Sequence, residues 1–209
     1  MPLPLDGRVA LVTGAARGQG RAHAVRLAAD GADVIAVDIC ADIPTVGHPL
    51  GTPEDLADTA HLVEKQGGRV VAREVDVRDR GTLQAAVDQG VAMLSPVRIV
   101  VASAGLAPLM GGGDEDDTFA DVLGVGLTGA WNTVKVATPS MVEAGLGGAI
   151  VLISSTQGLS GTDGNGTAGL TTYAASKHGL VGLMRSFANW LARTRSGSTP
   201  CTRPACPPR

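Results

Sequence analysis

Residues Arg8 to Gly20 read RVALVTGAARGQG, an apolar run that passes directly into a glycine-rich turn. Val9, Ala10, Leu11 and Val12 have the pattern of a strand covered on both faces in a parallel sheet. Thr13 and Gly14 end it. Gly14, Gly18 and Gly20 then give the spacing G-x-x-x-G-x-G, and Arg21 to Ala29 reads as a helix whose N-terminus opens at the glycines. The first turn of such a helix has unpaired N–H donors and a dipole that favours an anion, so a pyrophosphate fits there. Glycine is required because a side chain would hold the phosphate off the backbone or clash where helix meets strand. An Ala/Gly-rich turn between any strand and helix looks similar, so the glycine turn alone does not decide for a nucleotide.

Composition sets the limits. The chain has 209 residues, 44% of them hydrophobic, and a net charge of −3, which suits a single domain with a full core. No apolar run is long enough for a bilayer, and MPLPLDGR does not read as a secretory leader. Neither a membrane nor a nucleic-acid footprint is present. Cys40, Cys201 and Cys206 form no zinc or disulfide pattern, so a reducing cytoplasm is the expected compartment. Tyr173 is the single tyrosine, and Lys65, Lys135 and Lys177 are the only lysines among the 17 basic residues.

The segment Asp33 to Asp38 (DVIAVD) reads as a second buried strand ending on a carboxylate. Asp38 comes after Gly20 at close to the roughly 20-residue offset at which an acid meets the adenosine ribose of NAD. Its charge would repel a 2′-phosphate. Arg17 argues weakly the other way, but a carboxylate at the ribose is hard to reconcile with NADP. Ile39 to Gly51, with Pro44, Gly47 and Pro49, is an insertion that cannot hold a helix. Thr52-Pro53-Glu54-Asp55 opens the next helix, stopped by Gly67-Gly68. A third strand, Arg69 to Val75, brings Asp76 and Val77 to the sheet edge where adenine would lie. Asp79 caps a helix over Arg80 to Leu94, and a fourth strand, Ile99 to Ala102, runs into Ser103-Ala104-Gly105, whose small side chains let a cofactor cross the strand end. Gly111 to Asp117 reads as a flexible acidic loop, Thr118 to Ala144 as one long helix, and Ala149 to Ser154 as a fifth strand. Strand alternating with helix in this way means an α/β, Rossmann-like, doubly wound parallel sheet with ligands beyond the strands' carboxyl ends.

Ser154-Ser155 ends the fifth strand, and after a Gly/Thr-rich linker Tyr173-Ala-Ala-Ser-Lys177 begins a helix running to about Leu191. Residues at i and i+4 share one helical face, so phenol and ammonium point the same way. A phenol, with a reference pKa of about 10, exchanges protons poorly at neutral pH, and a nearby ammonium favours its phenolate. Tyr173 can then exchange a proton with an alcohol or carbonyl oxygen while a nicotinamide handles hydride. Ser155 would orient that oxygen, and Lys177 could also hold the nicotinamide ribose. Tyr-x-x-x-Lys is common by chance, but here the sole tyrosine falls at that spacing after the fifth strand.

In this order TGAARGQG, DVIAVD, DVRD, ASAG, VLISS and YAASK resemble the short-chain dehydrogenase/reductase family, from about Leu5 to Ala192. The insertion after Asp38 and YAASKHGLVGLMR resemble its mycofactocin-coupled branch, whose members hold NAD tightly and oxidise alcohols. The resemblance implies that Gly14, Arg17, Gly18, Gln19 and Gly20 contact the pyrophosphate side and Asp38 the adenosine ribose. It places Asp76 and Val77 beside adenine and Ser103, Ala104 and Gly105 along the cleft. Ser155, Tyr173 and Lys177 would be the catalytic group, with no metal. It further implies a small-molecule alcohol or ketone as substrate, a homodimer or homotetramer for a full-length form, and mycofactocin as a candidate electron acceptor.

Three departures bear on activity. Ser103 stands where the family has asparagine, and the linker from Ser155 to Tyr173 is long for the family. Gly126 occupies the place of the asparagine that carries the family's proton-relay water, which favours a second reading: an NAD-binding homologue impaired in catalysis. A non-redox phosphate-binding protein is disfavoured, since the loop lacks a trailing Gly-Lys-Ser/Thr. Composition also breaks after Ala192. Arg193 to Arg209 holds four arginines, four prolines and no acid. Residues 1–192 are therefore expected to form the NAD-binding domain, and 193–209 a basic, Pro-rich tail that is non-native or disordered. In a neighbouring frame the tail's codons can read TIRVNTVHPTGVPTP, the family's sixth strand and cofactor-closing loop, so a frameshift is expected. The sheet would then lack its last two strands and leave the fifth as a bare edge.

Overall fold

The computed structural model describes residues 2–107, 113–161 and 166–193, together with the backbone of Cys201–Pro204. In chain order the elements are β1 (Val9–Thr13), α1 (Gly18–Ala29), β2 (Asp33–Asp38), α2 (Pro53–Lys65), β3 (Val70–Glu74), α3 (Arg80–Met93) and β4 (Val97–Ala102). Next come α4 (Glu115–Leu123), a π-helical turn (Gly124–Thr128), α5 (Gly129–Ala144), β5 (Ala149–Leu152), α6 (Ala168–Ala192) and β6 (Cys201–Pro204). The strands form one parallel sheet in the order β3-β2-β1-β4-β5-β6.

Alternation along the central strands sorts their side chains into two cores. Val9, Leu11, Ile35 and Val37 face Leu83 and Val87 of α3, Val134 of α5 and Leu180 of α6. Ala10, Val12, Val34 and Ala36 face Ala24 and Ala28 of α1 with Leu56 and Val63 of α2. β1 is wholly buried on both faces, as its unbroken apolar run requires. Each aliphatic side chain so buried contributes about 1.5–3 kcal/mol. The chain winds outward from β1 to β3, then crosses back to β4 on the other side of β1. The carboxyl ends of β1 and β4 thereby mark the topological switch point where a cleft opens.

Several boundaries differ from the sequence expectation. The acidic segment is not all loop: Asp114 caps α4 by accepting from the N–H groups of Asp116 and Asp117, and Glu115, Asp116 and Asp117 fill its first turn. Acids are stabilised there by the helix dipole. Residues 111 and 112 lie outside the described residues. The expected single long helix is α4 and α5 joined through the π turn, and α6 starts five residues before Tyr173. The tail differs most. Its backbone at Cys201–Pro204 runs parallel to β5, with Ala149 opposite Cys201 and Leu152 opposite Pro204, so β5 is not the edge of the sheet. An unpaired strand edge offers a row of donors and acceptors that any extended segment can use, and proline is tolerated on the outer strand. Residues 194–200 and 205–209 lie outside the described residues. Among the described residues no helix is long and apolar enough to cross a membrane, and no group of His, Cys, Asp or Glu could hold a metal ion.

Candidate active site

The switch point is held by one hydroxyl. Thr13, buried at the end of β1, accepts through Oγ1 from the N–H groups of Ser103 (3.1 Å) and Ala104 (3.2 Å) at the end of β4. The strands approach so closely beyond it that a Cβ on Gly14 would lie 2.9 Å from Ala104 Cα. One on Gly20 would lie 1.9 Å from the Gly14 carbonyl oxygen, which backbone cannot relieve. Gly14 and Gly18 both have positive φ, +67° and +57°. These positions require glycine for reasons of space or conformation.

The turn they shape presents the N-terminus of α1 to the cleft with its donors free. Arg17 occupies the cap position without a side-chain cap, and the first turn holds no acid. The helices α2, α3 and α4 are instead capped by Thr52, Asp79 and Asp114. A row of unpaired N–H groups at a dipole's positive end is the donor set a pyrophosphate takes. Two side chains to which the sequence reading gave no role hold this turn from behind. Thr59 Oγ1 donates to the Ala15 carbonyl (2.9 Å), and Arg21 Nε donates to that of Ala16 (2.9 Å) while Nη2 pairs with Asp55 at 3.1 Å.

Around this turn lies a cleft of about 310 Å³. Its wall includes Gly14, Arg17, Gly18, Gln19, Gly20 and Asp38, then Asp76, Val77, Ser103, Ala104 and Gly105, and at the far end Tyr173 and Lys177. Asp38 is fixed by backbone donors, Ala16 N–H to Oδ2 (2.9 Å) and Cys40 N–H to Oδ1 (3.3 Å). Asp76 is engaged by Arg78 (Nη2 to Oδ2, 2.6 Å), and this hydrogen bond holds the guanidinium above its ordinary pKa. Cys40 has φ +51° and is buried beside Asp38, and burial with the neighbouring carboxylates pushes its thiol up to about 12. It is therefore protonated and inert at neutral pH.

At the far end, Lys177 Nζ donates to the Ile153 carbonyl (2.8 Å) and lies 5.5 Å from the Tyr173 ring centroid. The residue is 6% exposed, and burial brings its ammonium down to about 8. Ser155 is not on the wall. Ile153 and Ser154, just past the end of β5, are there, the Ser154 hydroxyl donating to the Lys177 carbonyl (3.2 Å). Ser155 instead caps the Thr156–Gly158 turn, accepting from Gln157 N–H at 3.2 Å. Gly126 sits in the π turn, buried against α6, where a Cβ would lie 3.2 Å from Ser176 Oγ.

The sequence reading missed the apolar wall. Ile39, Ile43 and Leu50 of the insertion line the cleft with Leu106 and Val125. Ile39, Ile43, Val46 and Leu50 within an otherwise Pro- and Gly-rich loop were the available signal, since a solvated loop has no use for them.

Residues 8–196 match the family model described as short chain dehydrogenase. The chain belongs to this family. It is 56% identical over 189 residues to an uncharacterized oxidoreductase of Mycobacterium tuberculosis, covering 90% of this chain and 68% of that protein. It is 47% identical over 193 residues to the (-)-trans-carveol dehydrogenase of Rhodococcus erythropolis, covering 91% and 68%. Among solved structures it resembles carveol dehydrogenase from Mycobacterium avium in complex with NAD, with TM-score 0.83, 45% identity and coverage of 92% and 68%. The chain thus spans about two thirds of the length of the relatives it matches.

Burial of Lys177 has a measurable consequence. Between pH 8 and 10.5 the unfolded chain holds a proton that the native chain has released, so this group raises stability as pH climbs through that window; below it the full penalty of a buried ammonium is present. Urea unfolding of the cofactor-free protein should show the wild type gaining on Lys177→Met across that range. Parallel pH profiles for the two would show that the lysine carries no such penalty.

Proposed function

We propose that the chain is an NAD-dependent oxidoreductase that interconverts a small-molecule alcohol and its ketone or aldehyde. One arrangement carries this reading. Asp38, the uncapped N-terminus of α1 and the pair Tyr173–Lys177 line a single cleft, partners in turn for adenosine ribose, pyrophosphate and reacting carbon. The likeness to proteins solved with NAD supports the same cofactor. Gly14, Arg17, Gly18, Gln19 and Gly20 would hold its phosphates, Asp38 its ribose hydroxyls, and Asp76, Val77, Ser103, Ala104 and Gly105 its flanks. Bound NAD supplies the hydride acceptor.

The remaining chemistry falls to the protein. Tyr173 takes the hydroxyl proton of the alcohol, or returns it to the carbonyl oxygen in the reverse direction. Lys177 stands beside the ring as a cation whose charge favours the phenolate, and its place next to Gly105 leaves room for a ribose. Ser155, next to the wall residue Ser154, accepts from Gln157 N–H and so keeps its own proton, with which it would orient the substrate oxygen. The insertion lining the cofactor cleft supports the finer reading that NAD is retained between turnovers and that an external acceptor such as mycofactocin removes the electrons. Carveol and alcohols like it are the first substrates to assay.

Titration of NADH and NADPH under identical conditions tests the cofactor assignment. NADH should bind at least tenfold tighter, because Asp38 offers hydrogen bonds to ribose hydroxyls and repels a phosphate; equal affinity would sink it. Tyr173→Phe should lower kcat by a factor of 100 or more with NADH affinity within about twofold, in line with losing a general acid/base. Undiminished turnover in that variant would remove Tyr173 from the mechanism.

Gly126 favours a second reading, an NAD-binding homologue with impaired catalysis. Under it Gly126→Asn should raise kcat several-fold, with Ser176 Oγ rotating aside to admit the side chain. An unchanged kcat would mean that the missing amide is not what limits the enzyme.

A further inference from the structure

We propose that Thr45 and Asp121 are positioning residues for the cofactor: with Arg78 they fasten the 39–51 loop across the adenine end of the cleft and set how fast the dinucleotide leaves. The proposal rests on the reading that this cleft takes NAD. The polar path is continuous. Thr45 Oγ1 donates to Asp121 Oδ2 at 2.6 Å, Asp121 Oδ1 receives Arg78 Nη1 at 2.5 Å, and Arg78 Nη2 reaches Asp76 Oδ2 at 2.6 Å. One chain of contacts thus joins the loop to α4 and α4 to the end of β3.

Each end of that chain borders the cleft. Asp76 is on its wall, and Ile39, Ile43 and Leu50 bring the loop to it from the other side. Thr45 itself is 5% exposed, and a Cβ on Gly113 would stand 2.9 Å from its methyl group, so the hydroxyl is delivered to Asp121 from a close-packed seat. Apolar packing alone would hold the loop loosely. Ile43 and its partly buried neighbours Val46 and Leu50 cluster with Val122 and Val125, a contact without directional bonds. A hydrogen bond to a carboxylate fixes the register, and among the described residues Thr45–Asp121 is the only side-chain hydrogen bond between this loop and α4. A dinucleotide lying under the loop must lift it to leave. Breaking the Thr45–Asp121 bond is therefore part of the release barrier.

Thr45→Val keeps the shape and removes the donor. Wild type and variant are loaded with NADH and mixed with excess NAD, and the decay of bound NADH fluorescence is monitored. Release should accelerate about tenfold in Thr45→Val, the scale of a hydrogen bond to a charged group, and return to within about twofold of wild type in Thr45→Ser. Hydrogen exchange in the cofactor-free proteins should rise at amides 43–50 in Thr45→Val alone. Should Thr45→Val fail to fold, Asp121→Asn, which weakens the same link, must show the faster release. Wild-type release rates in Thr45→Val, or release from Thr45→Ser as fast as from the valine variant, would overturn the proposal. If the wild type takes up no NADH, the cofactor reading fails and this proposal with it, while a rise in exchange would still show that Thr45 clamps the loop.

Discussion

The near-contact of β1 and β4 at their carboxyl ends is the constraint on which the rest of the structure depends. Parallel strands joined by crossovers in opposite directions must part at one point, and here they part beyond Thr13, whose hydroxyl binds both Ser103 and Ala104 backbone donors. Holding the strands together to the last residue makes the divergence abrupt. The turn after β1 must then rise within one residue past Ala104, which Gly14 alone permits, and it delivers the start of α1 over the gap. Everything that faces the cleft is placed by this geometry: Asp38 one strand to one side, Ser154 and Lys177 one strand to the other.

The two ends of the cleft are built on opposite electrostatic principles. At the end beside Asp38 charges are paired or satisfied: Asp38 by backbone N–H groups, Asp76 by Arg78, Arg78 again by Asp121. Such groups are rigid and cost little to keep charged. At the other end Lys177 is buried with a neutral carbonyl as its hydrogen-bond partner, so its proton is held weakly. A buried ammonium with a weakly held proton thus stands beside the one phenol, where the other end has saturated ion pairs.

The α/β sheet was legible because β1, β2, β4 and β5 each carry four successive residues drawn from Val, Ile, Leu and Ala, and the glycine turn, Asp38, Asp76 and Tyr173–Lys177 stood out because they follow successive strand ends in order, where the fold brings them to one cleft. What escaped the sequence depends on tertiary contact. Ser155 is engaged in capping the turn that follows it, and the wall position beside it falls to Ser154. Thr59 and Arg21 lie on separate helices and meet only at the carbonyls of Ala15 and Ala16. The acidic stretch from Asp114 reads as a solvated loop until Asp114 is seen to cap a helix, and the tail has no strand pattern of its own; β5 supplies the template for Cys201–Pro204.

Gly126 combines both kinds of information. Its identity, read in sequence, suggests a lost function and a helix weakened by about 1 kcal/mol relative to alanine. The fold shows that the local backbone does not depend on an asparagine side chain: the turn from Gly124 to Thr128 is π-helical with glycine in place. A π turn costs regular hydrogen bonding and persists only where packing over-determines it, and here α6 supplies that packing, with Ser176 pressed against the glycine. The π turn on this side of the site therefore belongs to the helix pair rather than to residue 126, and what the glycine leaves out is a single side chain and not the architecture around it.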